Sequence, residues 1–277
     1  EYVDFEIPLL DDGGVIRTSG VNLSHALQML VKRLNGELEK LNFNGMDLSG
    51  VILGDCKFID CTFDGVVGDM SLSGAEFLMC SFSGADLSGS RIGACKFYTC
   101  GMHDVILDQA KIYLTLFDDV FMDRARMERS RIDRSDFRQC HMPGASLREA
   151  RLDETRFAGC DLARADFSGI WFVAGGPDAC ELVGNDMRDT LWRGAIVLLC
   201  TESRGNDVDC ADFRGAWMSC IEARFGFALG FVLPRTFRFG SRTRLPLAPL
   251  PYAYAYPRTA AALLALGMVA TFTALLA

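Results

Sequence analysis

Large apolar residues recur at every fifth position over most of this chain. From Leu72 the series runs through Phe77, Phe82, Leu87, Ile92, Phe97, Met102, Leu107, Ile112, Phe117, Met122, Met127, Ile132, Phe137, Met142, Leu147, Leu152, Phe157, Leu162, Phe167 and Phe172. Pro177 interrupts it, and Leu182, Met187, Trp192 and Val197 resume in step. That makes 25 large apolar residues in 26 steps, in a chain only 50% hydrophobic, so the series is not a chance one. A shorter run, Phe43, Leu48, Leu53, Phe58 and Phe63, joins it with one residue missing across Val66–Asp69. A small residue precedes most of them by two positions: Ala75, Cys80, Ala85, Ser90, Cys95, Cys100, Ala110 and so on. Residues at i and i−2 point the same way from a strand. A helix would need a spacing of about 3.6. Each unit of five therefore predicts a very short strand with an inward pair, then a corner.

Steps of twenty define the turn. They give a phenylalanine ladder of Phe77, Phe97, Phe117, Phe137 and Phe157, which Phe58 joins across the deletion. Parallel columns read Leu72, Ile92, Ile112, Ile132, Leu152, Phe172, Trp192 and Phe82, Met102, Met122, Met142, Leu162, Leu182. Like stacks on like every four units. The pattern predicts a four-sided parallel β-solenoid of about eight coils between Phe43 and Val197, rising ~4.8 Å per coil.

Several units, Ala85-Asp86-Leu87-Ser88-Gly89, Cys160-Asp161-Leu162, Ala165-Asp166-Phe167-Ser168-Gly169 and Ala211-Asp212-Phe213-Arg214-Gly215, resemble the A-(D/N)-L-x-x repeat of the pentapeptide-repeat family. The resemblance covers roughly residues 41–220. It implies an all-β fold, a right-handed parallel quadrilateral β-helix. It implies no single function, because such solenoids serve as DNA mimics, secreted effectors and organellar proteins.

Four segments are expected. Residues 1–40 carry a helix that caps the open strand edges, with Asn22 or Ser24 as N-cap, a Leu27, Leu30, Val31 and Leu34 stripe, and Gly36 as the stop. Residues 41–222 form the β-helix. Within it, Gly175-Gly176-Pro177 reads as a loop in place of a Phe-column residue, and 198–207 as an inserted loop followed by a last partial coil at Val208, Phe213 and Met218. Residues 223–258 are an apolar, then Arg- and Pro-rich linker. Residues 259–277 have neither charge nor proline, and as a helix would be ~28 Å long, close to the ~30 Å hydrocarbon core. They read as a C-terminal transmembrane helix. Arg235, Arg238, Arg242, Arg244 and Arg258 precede it and Tyr252, Tyr254 and Tyr256 lie at its entry, as membrane-interface residues do. By the positive-inside rule the β-helix then faces cytosol, matrix or stroma.

The cysteines follow the period. Cys61, Cys80, Cys100, Cys140, Cys160 and Cys180 read as one inward thiol column, filling the small-residue place rather than binding zinc or pairing as disulfides. The chain has only three histidines, His25, His103 and His141. The last two flank inward positions two coils apart, so they read as solvent-facing and not paired with each other. Residues 72–172 hold 15 acids against 13 bases, which reads as ladders of opposite charges, with an arginine-bearing face for an acidic partner or lipid head groups as the functional alternative.

No metal, catalytic or cofactor-binding residues and no intrinsic cofactor are expected, although pigments or lipids would meet the transmembrane helix. The expected role is non-catalytic: a membrane-anchored accessory subunit or assembly scaffold of a large membrane complex, with the subunits of that complex and the lipid bilayer as partners. An abundance of arginine over lysine, a start at Glu1 that suggests a processed precursor, and the occurrence of the family in cyanobacteria and chloroplasts point to a photosystem of an algal thylakoid. A respiratory-complex subunit, a membrane-docking bacterial effector and a DNA-mimicking topoisomerase inhibitor are the alternatives. The net charge of −8 speaks against a nucleic-acid partner.

Overall fold

A computed structural model of the chain describes residues 2–10, 14–173 and 181–200, and beyond these 202–204, 206–207, 210–212, 216–220, 227–228 and 231–232. Short strands stack in parallel into two nine-stranded sheets. One runs from Ile52–Gly54 through Arg91–Gly93, Lys111–Tyr113 and Arg131–Asp133 to Trp217–Cys220, the other from Glu37–Glu39 through Leu116–Asp118 to Glu202–Arg204. The register matches the sequence period: Phe97, Phe117, Phe137 and Phe157 are successive partners. From Leu53 to Val197, through Leu72, Ile92, Ile112, Ile132, Leu152 and Phe172, the chain makes seven turns rather than eight.

The four units of a turn are not alike, which corrects the expectation of a strand in each. Two consecutive units form three-residue strands. The other two meet their neighbours only through single bridges, as in Ser81, Gly101, Phe121 and His141. The reason lies in their corners. The Ala85 N–H donates to the Phe82 carbonyl at 3.1 Å within one unit, and the third residue, Gly84, has φ 66°. That is the pattern of a type II turn, and it uses an N–H that a strand would have offered to the next coil.

The interior is dry and stacked. Phe77, Phe97, Phe117, Phe137 and Phe157 are each at most 1% exposed, and their rings lie parallel at 4.7–5.0 Å between centroids. A second stack, Phe43, Phe63 and Phe82, meets the first edge-on, with Phe58 and Phe63 at 79°. Offset-parallel and edge-to-face contacts are the two favourable arrangements for aromatic rings.

Three irregularities break the count of twenty. Asn42 pairs with Thr62, but Thr62 pairs with Ser81, so the one-residue deletion sits where the sequence places it. Gly68 makes it fit, with φ 133° and no room for a Cβ against the Ser49 backbone. Further on, Phe157 pairs with Leu182 and Phe172 with Val197. Five extra residues, one whole unit, have entered. The columns read by steps of twenty are therefore wrong beyond Phe172: Trp192 stacks on Phe167, at 4.3 Å, and Leu182 continues the Phe157 column. An insertion of one full period leaves the period-five series in phase while moving every later residue to another side. The loop at Gly175-Gly176-Pro177 lies outside the described residues. Lastly, residues 198–207 are not an inserted loop. Ile196–Cys200 and Glu202–Arg204 continue the two sheets, and Val197 pairs with Met218, one residue more than a regular turn.

The first turn is covered by an antiparallel hairpin, β1 (Val3–Pro8) and β2 (Val15–Gly20), and by helix α1 (Leu23–Arg33). The hairpin is absent from the expectation drawn from the sequence. Asn22 is the N-cap, its side chain accepting from the His25 N–H at 2.8 Å. Ser24 has another task. Its hydroxyl accepts from the Ile52 N–H at 2.8 Å, while Gln28 donates to the Ile52 carbonyl at 2.9 Å. The outermost strand of one sheet thus has polar groups satisfied by the helix. Leu9 bridges Leu41 antiparallel at the other sheet's end. Among the described residues no helix is long and apolar enough to cross a membrane; residues 259–277, with Arg235, Arg238, Arg242, Arg244, Tyr252, Tyr254, Tyr256 and Arg258, lie outside them.

Candidate functional site

The small-residue column shows what the interior asks of its polar atoms. The Cys100 thiol donates to the carbonyls of Tyr98 at 3.4 Å and of Phe77 at 3.5 Å, and Cys80, Cys140 and Cys160 repeat the pattern. On the neighbouring side Thr115 and Thr155 make the same pair of bonds from hydroxyls. A small donor at this place closes the corner carbonyl of its own unit and a carbonyl of the coil before it. Cys61, Cys80, Cys100, Cys140 and Cys160 are buried and free. The place after Cys160 belongs to Asn185, whose side-chain oxygen accepts from the Cys160 N–H at 2.9 Å; the extra unit displaced the count, and Cys180 lies outside the described residues. Asn206 stands next, accepting from Asn185 at 3.0 Å and donating to the Leu182 carbonyl at 2.7 Å. Burial pushes the Cys56 thiol up to about 12 and that of Cys95 up to about 11. The buried thiols act as structural donors to backbone carbonyls.

The outer surface carries the chemistry that is accessible. Many basic side chains are matched with acids one coil away, and Arg131, Arg138 and Arg188 with acids two residues away in their own units. Arg124 grips Asp104 with two bonds, at 2.7 and 2.6 Å. Arg129 meets Glu149 at 2.8 Å, Arg134 meets Glu154 at 2.9 Å, and Lys96 meets Glu76 at 2.7 Å. The Arg124 guanidinium holds the Asp104 carboxyl below its usual range, and Arg129 does the same to Glu149. These are the ladders the charge pattern predicts.

His103 and His141 are half-exposed, as expected, and share a carboxylate. His103 and His141 do not meet each other, but Asp123 stands between them. Its carboxylate lies 2.6 Å from His103 Nδ1 and 3.1 Å from His141 Nε2, and His141 Nδ1 lies 3.1 Å from Asp161. Phe121 fills the space between the two rings, about 6 Å from each. The signal was present in the sequence: twenty residues beyond His103 is Asp123, and twenty beyond His141 is Asp161. Only the neighbouring of the two columns was missing. Among the described residues no group of three or more His, Cys, Asp or Glu side chains is arranged to hold a metal ion.

A family model described as pentapeptide repeats matches residues 130–169, with eight copies. No curated protein matches the chain. Among solved structures, QnrB1, a plasmid-mediated fluoroquinolone resistance protein, is 15% identical over 74% of this chain and 84% of its own, with a TM-score of 0.36. HetL, a pentapeptide-repeat protein involved in heterocyst differentiation regulation in the cyanobacterium Nostoc sp., is 16% identical over 78% of this chain and 99% of its own, again with a TM-score of 0.36. Rfr23, a pentapeptide-repeat protein of the cyanobacterium Cyanothece, is 13% identical over 54% of this chain and 90% of its own, with a TM-score of 0.15. With its unit of five, its four units to a turn and eight repeat copies matched over residues 130–169, the chain carries pentapeptide repeats and resembles the proteins built from them.

Proposed function

We propose that this protein is a non-catalytic scaffold, a stiff rod that presents its outer faces to other proteins while its C-terminal segment holds it at a membrane. The observation that carries the reading is the division of labour between inside and outside. Stacked large apolar side chains and small residues fill the interior of the described coils, so the sites open to a partner are the corner and strand residues facing out. Pentapeptide-repeat proteins are in general structural or interaction proteins, which supports the same reading. The membrane part rests on residues 259–277 and the arginines and tyrosines before them. A large membrane complex is then the natural host, and a photosystem of an algal thylakoid fits the sequence signals best, with the β-helix on the stromal side.

The test is recovery from native membranes in mild detergent. The chain should co-migrate in stoichiometric amount with a pigmented complex and resist a salt wash. Release by salt would remove the anchor, and co-migration with an unpigmented respiratory assembly would replace the photosystem.

A further inference from the structure

On the first sheet the electrostatics reverse the rule seen elsewhere. Arg91, Lys111, Arg131 and Arg151 are direct register partners in four successive coils, and all four are exposed. Like charges placed opposite one another in a sheet are destabilising. Arg131 shares Asp133 of its own strand, at 2.7 Å. Arg91, Lys111 and Arg151 have no ion pair among the described residues. Beside this column Tyr113, 42% exposed, lies across Gly93, where a Cβ would meet its ring. Arg91, Lys111, Arg131, Tyr113 and Asp133 line a cleft of about 230 Å³. At the far end the Arg151 guanidinium stands 5.8 Å from the Trp171 ring.

We propose that this column is a docking surface for an extended acidic segment of a partner protein, an inference that names the partner chemistry for the scaffold reading above. The geometry selects a linear polyanion. The cations form a stripe one residue wide and ~14 Å long, three inter-strand steps, which about four residues of extended chain would span. In the adjoining column of the same face Asp133 and Asp153 are register partners. A strand laid along the cations avoids them, whereas a planar anionic surface would press against both. Carboxylates of the segment would relieve the repulsion among the stacked cations, and the tyrosine and tryptophan rings offer apolar contact for the residues between.

The experiment uses the full chain and a fluorescein-labelled dodecapeptide of alternating Glu and Ser, followed by fluorescence anisotropy at about 50 mM salt, where the Debye length exceeds ~10 Å. The peptide should bind, and its Gln-Ser counterpart should not. Arg91→Gln combined with Lys111→Gln should weaken binding by about tenfold or more. The same double substitution should keep or raise the thermal midpoint, because it removes like charges. Arg129→Gln, which alters a paired arginine, should leave binding unchanged. Equal binding by the double variant overturns the proposal. So does binding of vesicles with ~30% phosphatidylserine that depends on Arg91 and Lys111 while the peptide fails to bind. Peptide failure with the chain still recovered in a native complex removes the docking face and leaves the scaffold role. Peptide binding without any such complex does the reverse.

Discussion

Corner residues bear the local strain of this fold. Thr99, Leu114 and Arg134 have φ of 52°, 52° and 49°, in a left-handed region that costs an L-residue about 1–2 kcal/mol. Stacking holds them there, as where the Thr99 N–H donates to the Asp118 carbonyl at 3.0 Å. The unit repeats its backbone whether or not glycine is present, because the neighbouring coils supply the hydrogen bonds that fix it. Thr99 is exposed and β-branched, the least suitable type for this conformation. Replacing it with glycine removes the strain at a chain-entropy cost of about 0.5–1 kcal/mol. Thr99→Gly should therefore raise stability by up to about 1 kcal/mol, read as a higher urea midpoint at unchanged slope; a lower midpoint would mean that the threonine side chain makes a contact worth more than its strain. The inward residues, Phe97 to Phe157 and the thiols, were legible in the sequence for the opposite reason. Their placement depends only on alternation along a strand, which the chain carries locally.

At the scale of one coil the decisive events are insertions and deletions. The lost residue near Val66–Asp69 is accommodated at Gly68, where φ is 133° and the Ser49 backbone is too near for a side chain. Gly68→Ala should destabilise by several kcal/mol, visible as a lowered thermal midpoint, whereas Gly65→Ala, with open space around its Cβ position, should cost about 1 kcal/mol. Equal losses would show that Gly68 is needed only for its φ. The deletion was readable because it shifts the phase of the series. The five-residue insertion before Leu182 was not, since it preserves the phase and alters only which side each unit occupies. The hairpin β1–β2 was missed for a related reason: it lies outside the repeat, and a single short antiparallel pair has no period to reveal it.

Over the whole rod, the ladders of opposite charge tie coil to coil and make stability depend on acid. Arg124 beside Asp104 and Arg129 beside Glu149, each one coil apart, and Arg188 beside Asp186 within one unit, each hold the carboxyl below its usual range. A carboxylate lowered by folding contributes stability that is present above its unfolded pKa, near 4, and is lost as pH falls through the folded value. Arg124→Gln with Arg129→Gln should lower the urea midpoint slightly at pH 7 and not at all once both carboxyls are protonated. A difference that persists in acid would assign the effect to packing of the arginine stems. Salt should shrink the pH 7 difference, because these pairs are exposed. The sequence by itself determined the solenoid, its unit and its dry interior, because a five-residue period with an inward pair is a local instruction repeated until neighbours must stack. It could not determine which outward residues become neighbours. Asp123 between His103 and His141, and the stacked cations Arg91, Lys111, Arg131 and Arg151, exist only once four corners close a turn. Contacts between coils and across corners depend on how many units separate two residues in space, and only the folded chain counts them.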